Sequence, residues 1–379
     1  MLKKWFQGLP NCKRTVILKM KVFIFADGER KMLKKRERLL VFIGCGVLML
    51  LLAGCGSKEN ITQAMSKISE LNYQEALELF TAAQEAGENE KLIARGRGIA
   101  YMGMTKYEEA EKYFLEALNC SNGIPEDMDY DINLYLAAVY TKQEKYTQAE
   151  EVYNAVLALR PKDDDVKFMR GIARLKLDKY AEAKEDMDQV VAKAPKDFEK
   201  VLQIYEAMEA AGHKDAGQGY LTDALQTYEE EMSKYDKGRM YFYMGEYSKA
   251  YQALEEAKSQ TGIEAYLYLG KAYEATGDYN YASSVYNTYL AKNTGDGRIY
   301  NQLGICEMQK GQYAKALDAF QKGLKIGDKA MQQSLQFNEI VAYEHMGEFK
   351  KAAVLMETYL KTYPDDEKAG REYEFLKTR

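Results

Sequence analysis

The chain has 379 residues, 46% of them hydrophobic and 29% charged, with 53 Lys+Arg against 58 Asp+Glu. That apolar share excludes a wholly disordered chain, and the length exceeds one ordinary globular domain. Only 5 prolines stand beside 31 tyrosines and 28 glycines, which excludes collagen and proline-rich linkers, and two histidines, His213 and His345, leave no multi-histidine metal site.

Charge is unevenly placed. Residues 1–54 hold 12 basic and 3 acidic side chains, whereas the remaining 325 hold 41 and 55. Lys34, Lys35, Arg36 and Arg38 follow Met32 and precede an apolar run over 39–53. That run is 15 residues long, short of the roughly 20 needed to span hydrocarbon. A basic start, a short apolar stretch and small residues at its end predict a secretory signal over 32–54. Residues 1–31 read as either a mis-called start or an extended leader, with Met1 and Met32 the alternative starts.

The end of the apolar run, Leu52-Ala53-Gly54-Cys55, resembles the lipobox of bacterial lipoproteins, and Gly56, Ser57 and Lys58 open a polar tether over 55–60. The resemblance implies cleavage between Gly54 and Cys55, with a diacylglyceryl group on the Cys55 thiol. Two acyl chains, each adding about 0.8 kcal/mol per buried CH₂, hold a protein stably to a bilayer. The implied location is the extracytoplasmic face of the cell membrane. Cys12 and Cys45 would leave with the signal, so Cys120 and Cys306 remain. Two distant cysteines make no disulfide framework, and both are expected as small buried hydrophobes.

Beyond Cys55 the chain repeats. A tyrosine or phenylalanine, then Ala three residues on, a large side chain four further and a small or apolar one three further, recurs eight times. Examples are Tyr73, Ala76, Phe80, Ala83 and Tyr107, Ala110, Phe114, Ala117; the last is Phe349, Ala352, Met356, Tyr359. Spacings of 3, 4 and 3 set these residues on one helical face. A second helical phrase precedes most copies, as at Gly98 and Tyr101 or Gly270 and Tyr273. Glycine turns such as Gly245-Glu246 and Gly277-Asp278 join the two phrases, since glycine takes the left-handed conformation that ends a helix.

Successive copies begin 34, 39, 34, 67, 32, 34 and 36 residues apart. A helix-turn-helix unit of about 34 residues with alternating small and aromatic positions resembles the tetratricopeptide repeat (TPR). The resemblance covers 57–366 in nine units, starting near 57, 91, 130, 164, 198, 231, 263, 297 and 333. It implies an all-α solenoid wound as a right-handed superhelix, stabilised by packing between neighbouring units. The unit at 198 reads as degenerate, because His213-Lys214-Asp215-Ala216-Gly217 replaces the turn phrase, and the first unit has a poor first helix around Ile61 and Met65. Five extra residues make 119–129 a longer loop and a candidate soft joint. Residues 367–379 read as a capping helix with Tyr373, Phe375 and Leu376 turned inward.

No catalytic constellation is legible. Asp127, Asp129, Asp131 and Asn133 imitate a calcium loop, but Ile132 holds the glycine position and Ala138 the closing glutamate position. Asp163-Asp164-Asp165 after Pro161 reads as a helix N-cap. The acidic balance beyond residue 54 weighs against nucleic acid, and neither a metal nor a cofactor is expected.

In TPR proteins the exposed face of the first helices lines a concave groove. Projected onto this chain, that face comprises Arg95, Lys142, Phe168, Tyr235, Arg239, Phe242, Tyr243, Lys271, Asn301 and Phe337, with Leu134, Ile172, Leu267 and Ile305 beside them. Aromatic anchors beside Arg and Lys suit an extended or helical peptide with some acidic character. The expectation is a non-enzymatic, membrane-anchored scaffold that binds a protein or peptide partner in the cell envelope. The alternatives are a solute- or glycan-binding lipoprotein, or an envelope enzyme or enzyme activator.

Overall fold

A computed structural model of the protein describes residues 59–379, apart from Asn122 and Thr294. The leader at 1–31, the signal at 32–54, the Gly54–Cys55 cleavage site and the tether up to residue 58 lie outside the described residues. Those described form nineteen α-helices and one short 3₁₀ turn at Glu229–Glu231, with no strand among them. The chain divides into two compact units, Met1–Ala194 and Pro195–Arg379. The division falls between repeats, not in the 119–129 loop.

In the first unit the helices are α1 (Glu59–Ser69), α2 (Tyr73–Glu85), α3 (Glu90–Gly103), α4 (Tyr107–Asn119), α5 (Asp127–Lys142), α6 (Tyr146–Leu159), α7 (Asp164–Leu175) and α8 (Tyr180–Lys193). The second unit opens with α9 (Phe198–Ala210), α10 (Lys214–Tyr228), α11 (Lys234–Tyr243), α12 (Tyr247–Thr261) and α13 (Ile263–Ala275). It continues with α14 (Tyr279–Leu290), α15 (Gly297–Gln309), α16 (Tyr313–Ile326), α17 (Lys329–His345), α18 (Phe349–Thr362) and α19 (Glu367–Leu376). Consecutive helices pair as hairpins, each with the large residue of the repeat phrase buried from its second helix.

The hairpins close because a small residue in the first helix meets that large side chain. A Cβ added at Gly98 would fall 2.6 Å from the Phe114 ring, and one at Gly171 would fall 2.7 Å from Met187 Cε. The same sixteen-residue offset joins Gly270 to Tyr286 and Gly304 to Phe320. Phe80, Phe114, Met187, Tyr286 and Phe320 are accordingly fully buried. Burying such a side chain stabilises by about 1.5–3 kcal/mol, and only the next hairpin completes the cover.

The unit at 198 keeps a complete hairpin. Tyr205 stands where its neighbours have glycine or alanine, and Gly217 stands where they have alanine. Gly217 lacks the Cβ that would crowd the Tyr205 ring, and Tyr205 stays 1% exposed.

All nine intra-hairpin turns contain a left-handed residue two positions before the second helix. In the second unit this is always glycine: Gly212, Gly245, Gly277, Gly311 and Gly347, with φ from 71° to 83°. In the first unit Leu71, Thr105, Glu144 and Asp178 occupy the position with φ between 57° and 62°. Non-glycine residues there cost roughly 1–2 kcal/mol each, and hairpin packing overrides it.

Helix α1 forms despite its weak pattern, with Ile61 and Ala64 buried against Phe80. Its first turn is capped from the loop after α2: Asn60 N and Ile61 N donate to the two Glu88 carboxylate oxygens, each at 3.1 Å. Asp163 caps α7 by accepting from Val166 N at 3.1 Å, as the sequence predicts. In α19, Leu376 is buried and Tyr373 packs on the core, but Phe375 is 42% exposed, against the expectation. Cys306 is buried as expected, whereas Cys120 is exposed because α4 ends there, at the open edge of the hairpins.

Candidate partner-binding face

The richest cluster of projected groove residues lies on α11. Ser233 accepts from Asp236 N at 3.0 Å and starts the helix. Tyr235, Arg239, Phe242 and Tyr243 then follow at spacings of 4, 3 and 1 and share one face. On α13, Tyr268 faces them: its ring centroid lies 5.7 Å from Phe242 at 77°, 6.0 Å from Tyr235 at 73°, and 6.1 Å from Tyr243 at 68°. These edge-to-face contacts stabilise aromatic pairs by about 0.5–1.5 kcal/mol beyond area burial. Tyr205 of α9 extends the cluster, 5.2 Å from Tyr243.

Arg239 sits inside this cluster rather than above it. It is 7% exposed. Its guanidinium donates to Glu199 Oε2 at 2.6 Å and Asp236 Oδ1 at 2.8 Å, and lies 4.5 Å from the centre of the Tyr235 ring. Burial disfavours the charge, but the bonds to Glu199 and Asp236 outweigh it and raise the Arg239 pKa. Burial, then the hydrogen bond to Glu206, pushes the Tyr243 phenol well above its usual range. Burial also pushes Tyr235 up to about 12. The Tyr235 and Tyr243 hydroxyls are therefore neutral at physiological pH, hydrogen-bonding groups rather than bases.

The other projected residues divide by environment. Lys271 is exposed, its ammonium 5.7 Å from the centre of the Tyr268 ring. Asn301 is buried and accepts from Asn338 Nδ2 at 2.9 Å, linking α15 to α17. Phe337 is half-buried against Tyr359, 5.9 Å between centroids. In the first unit, Arg95 pairs with Asp131 at 2.5 Å and lies 5.6 Å from the centre of the Tyr135 ring. Phe168 is buried, Leu134 is 38% exposed and Lys142 is exposed. The structure thus brings Tyr235, Arg239, Phe242 and Tyr243 together and places Phe168 and Asn301 in the interior.

Sequence reasoning missed Tyr268, Glu199 and Glu206. Tyr268 directly follows the projected Leu267, and the face is one residue wider than a strict helical stripe. Glu199 and Glu206 lie in the repeat that looks degenerate, so its phase was not projected.

The two histidines have structural surroundings. His213 holds the N-cap position of α10, and His345 ends α17 with its ring 4.9 Å from that of Tyr313. Asp129 of the acidic run is buried, bonded to Ser121 and paired with Lys91 at 2.8 Å. Among the described residues no group of three or more His, Cys, Asp or Glu is placed to hold a metal ion. No helix among them is long and apolar enough to cross a membrane.

Four family models of the tetratricopeptide repeat match the chain, over residues 95–164, 140–207, 264–293 and 297–330. Among solved structures the chain is similar to yeast Tom70, at 15% identity and a TM-score of 0.50, covering 84% of this chain and 80% of that one. It is also similar to a tetratricopeptide repeat protein from Parabacteroides merdae, at 16% identity and a TM-score of 0.45, covering 73% and 96%. MamA from Desulfovibrio magneticus RS-1 shares 18% identity at a TM-score of 0.40, covering 48% and 98–99% of its chains. No curated protein matches. The matched segments fall on hairpins in both compact units, and α11 and α12 between them keep the small-to-large packing, with Gly238 against Leu254. The chain carries tetratricopeptide repeats, and its fold is the all-α TPR solenoid.

Proposed function

We propose that the protein is a lipid-anchored interaction scaffold of the cell envelope, without catalytic activity of its own, that binds a partner peptide or helix along its first-helix face. The observation that carries the binding role is the α11–α13 surface. Tyr235, Phe242 and Tyr243 are half-buried there, with Tyr268 beside them and the exposed ammonium of Lys271 at their margin. Rings held rigid by one another lose little entropy on binding, and a nearby cation selects an acidic segment. The anchoring role, and with it the extracytoplasmic side of the membrane, rests on the resemblance of Leu52-Ala53-Gly54-Cys55 to a lipobox.

The test is crosslinking capture in the native host, comparing the wild type with a Phe242→Ala, Lys271→Glu double variant. Arg239 is left intact because its bond to Glu199 ties α11 to α9. An envelope protein held by the wild type and lost from the variant supports the groove. Equal capture by both removes it.

A further inference from the structure

Contacts in the first unit define two opposite edges. The Glu88 carboxylate, after α2, caps the start of α1. Lys91 at the start of α3 reaches Asp129 at the start of α5. Ser121, just after α4, also bonds Asp129, and Arg160, just after α6, pairs with Asp127. One edge therefore gathers the starts of α1, α3 and α5 with the ends of α2, α4 and α6. The opposite edge carries the turns at Leu71, Thr105, Glu144 and Asp178, one helix length away. Helix α1 alone, 11 residues, spans about 16 Å.

Cys55 lies four residues before Glu59, where α1 begins. Four residues reach at most about 14 Å even when fully extended. An anchor at Cys55 therefore leaves from the edge where α1 starts and, with a reach close to the length of α1, holds that edge nearest the bilayer. We propose that the inter-repeat edge of the first unit faces the bilayer, with Gly123, Ile124 and Pro125 against the lipid surface and the hairpin turns pointing away. This rests on the reading of Cys55 as lipidated. The loop suits that position: Ile124 is 53% exposed, with Gly123 and Pro125 beside it. Three of the carboxylates behind it are matched within the chain, Asp129 by Lys91, Asp127 by Arg160, and Glu88 by backbone N–H groups. That pairing reduces repulsion from anionic headgroups.

The chain supplies its own probe. Cys120 is exposed on this edge, while Cys306 is buried and its thiol is pushed up by burial and by Glu274. A maleimide fluorophore on the mature lipidated protein therefore labels Cys120. The full chain is expressed in a bacterial host, purified with its lipid and placed in phosphatidylcholine vesicles containing a headgroup-nitroxide lipid. A Cys120→Ser, Glu144→Cys chain carries the same label on the opposite edge. The expected result is strong quenching at 120 and near-full emission at 144. Equal quenching, stronger quenching at 144, or none at either position overturns the proposed orientation. Mass spectrometry of the N-terminal peptide separates the premises: no diacylglyceryl group on Cys55 removes the anchor as well, whereas a lipidated protein with the wrong quenching pattern loses only the orientation.

Discussion

Tyr205 is large where the other hairpins have glycine or alanine, and Gly217 is smaller than the alanine they carry, yet no room is left between the two. A Cβ added at Gly217 would stand 3.2 Å from Tyr205 Cδ2, 3.2 Å from Tyr205 O and 3.1 Å from Met208 Cβ. Two of these contacts are to backbone or a near-backbone atom, so little can move aside. Gly217→Ala should destabilise the second unit by about 1–3 kcal/mol, in the range of core overpacking. Tyr205→Ala should cost about 3–5 kcal/mol, the range for truncating a large buried aromatic. Urea unfolding followed by tyrosine fluorescence measures both, and a neutral Gly217→Ala would contradict the packing.

The nine turns provide an internal comparison. Thr105 is β-branched, exposed and held at φ 59°. Replacing it with glycine removes strain but adds unfolded-state freedom, leaving a net gain of about 0.5–1 kcal/mol. Gly277, at φ 78°, should show the opposite sign on substitution by alanine, with a loss of about 1 kcal/mol or more. Thermal midpoints of the two single variants should move in opposite directions.

Asp186 is 1% exposed and is held by Arg170 through two bonds, at 2.9 and 2.5 Å, and by Arg174 at 2.7 Å. Arg174 also reaches Glu150 at 3.0 Å, which Lys179 pairs at 2.5 Å, so the network ties α6, α7 and α8 together. Asp186→Ala would remove the carboxylate partner of Arg170 and one of the two held by Arg174, and should cost about 1.5–3 kcal/mol. Amide exchange in α7 and α8 should accelerate; unchanged protection would show that the network contributes little.

The C-terminal cap should depend on pH. Burial, and then the neighbouring Glu372, raises the Glu344 carboxyl to about 7. Glu344 lies on α17 and Glu372 on α19, and Glu344 Oε1 is buried without a partner. The folded state thus holds this proton more tightly than the unfolded state. Stability is unpenalised below the unfolded value near 4.5, falls as pH rises, and reaches its floor above about 7. Glu344→Gln should flatten that fall between pH 5 and 8, read as protease cleavage of α19 against pH. An unchanged pH profile in the variant would assign the dependence elsewhere.

The helices and their pairing were legible because the repeat is a local rule. A phrase such as Tyr107, Ala110, Phe114, Ala117 states both the helix and its buried stripe, and each phase-keeping copy repeats the statement. The hairpin turns were half legible. Glycine announced them at Gly245, Gly277, Gly311 and Gly347, but Leu71, Thr105, Glu144 and Asp178 carry no turn signal and are bent by the helices they join.

The candidate face was less legible. Helical phase placed Tyr235, Phe242 and Tyr243 on one surface, which the structure shows as one cluster. Phase cannot say how deep a side chain sits, and Arg239 looked like a ligand for a partner until Glu199, 40 residues earlier, appeared beside it. Residue spacing along one helix alone determined the fold class, the repeat and the orientation of each stripe, because those depend on periodicity. Only the tertiary structure decided which charges are spent inside the chain, and that Tyr205 packs against Gly217. Those outcomes depend on distances between helices, which no single helix encodes.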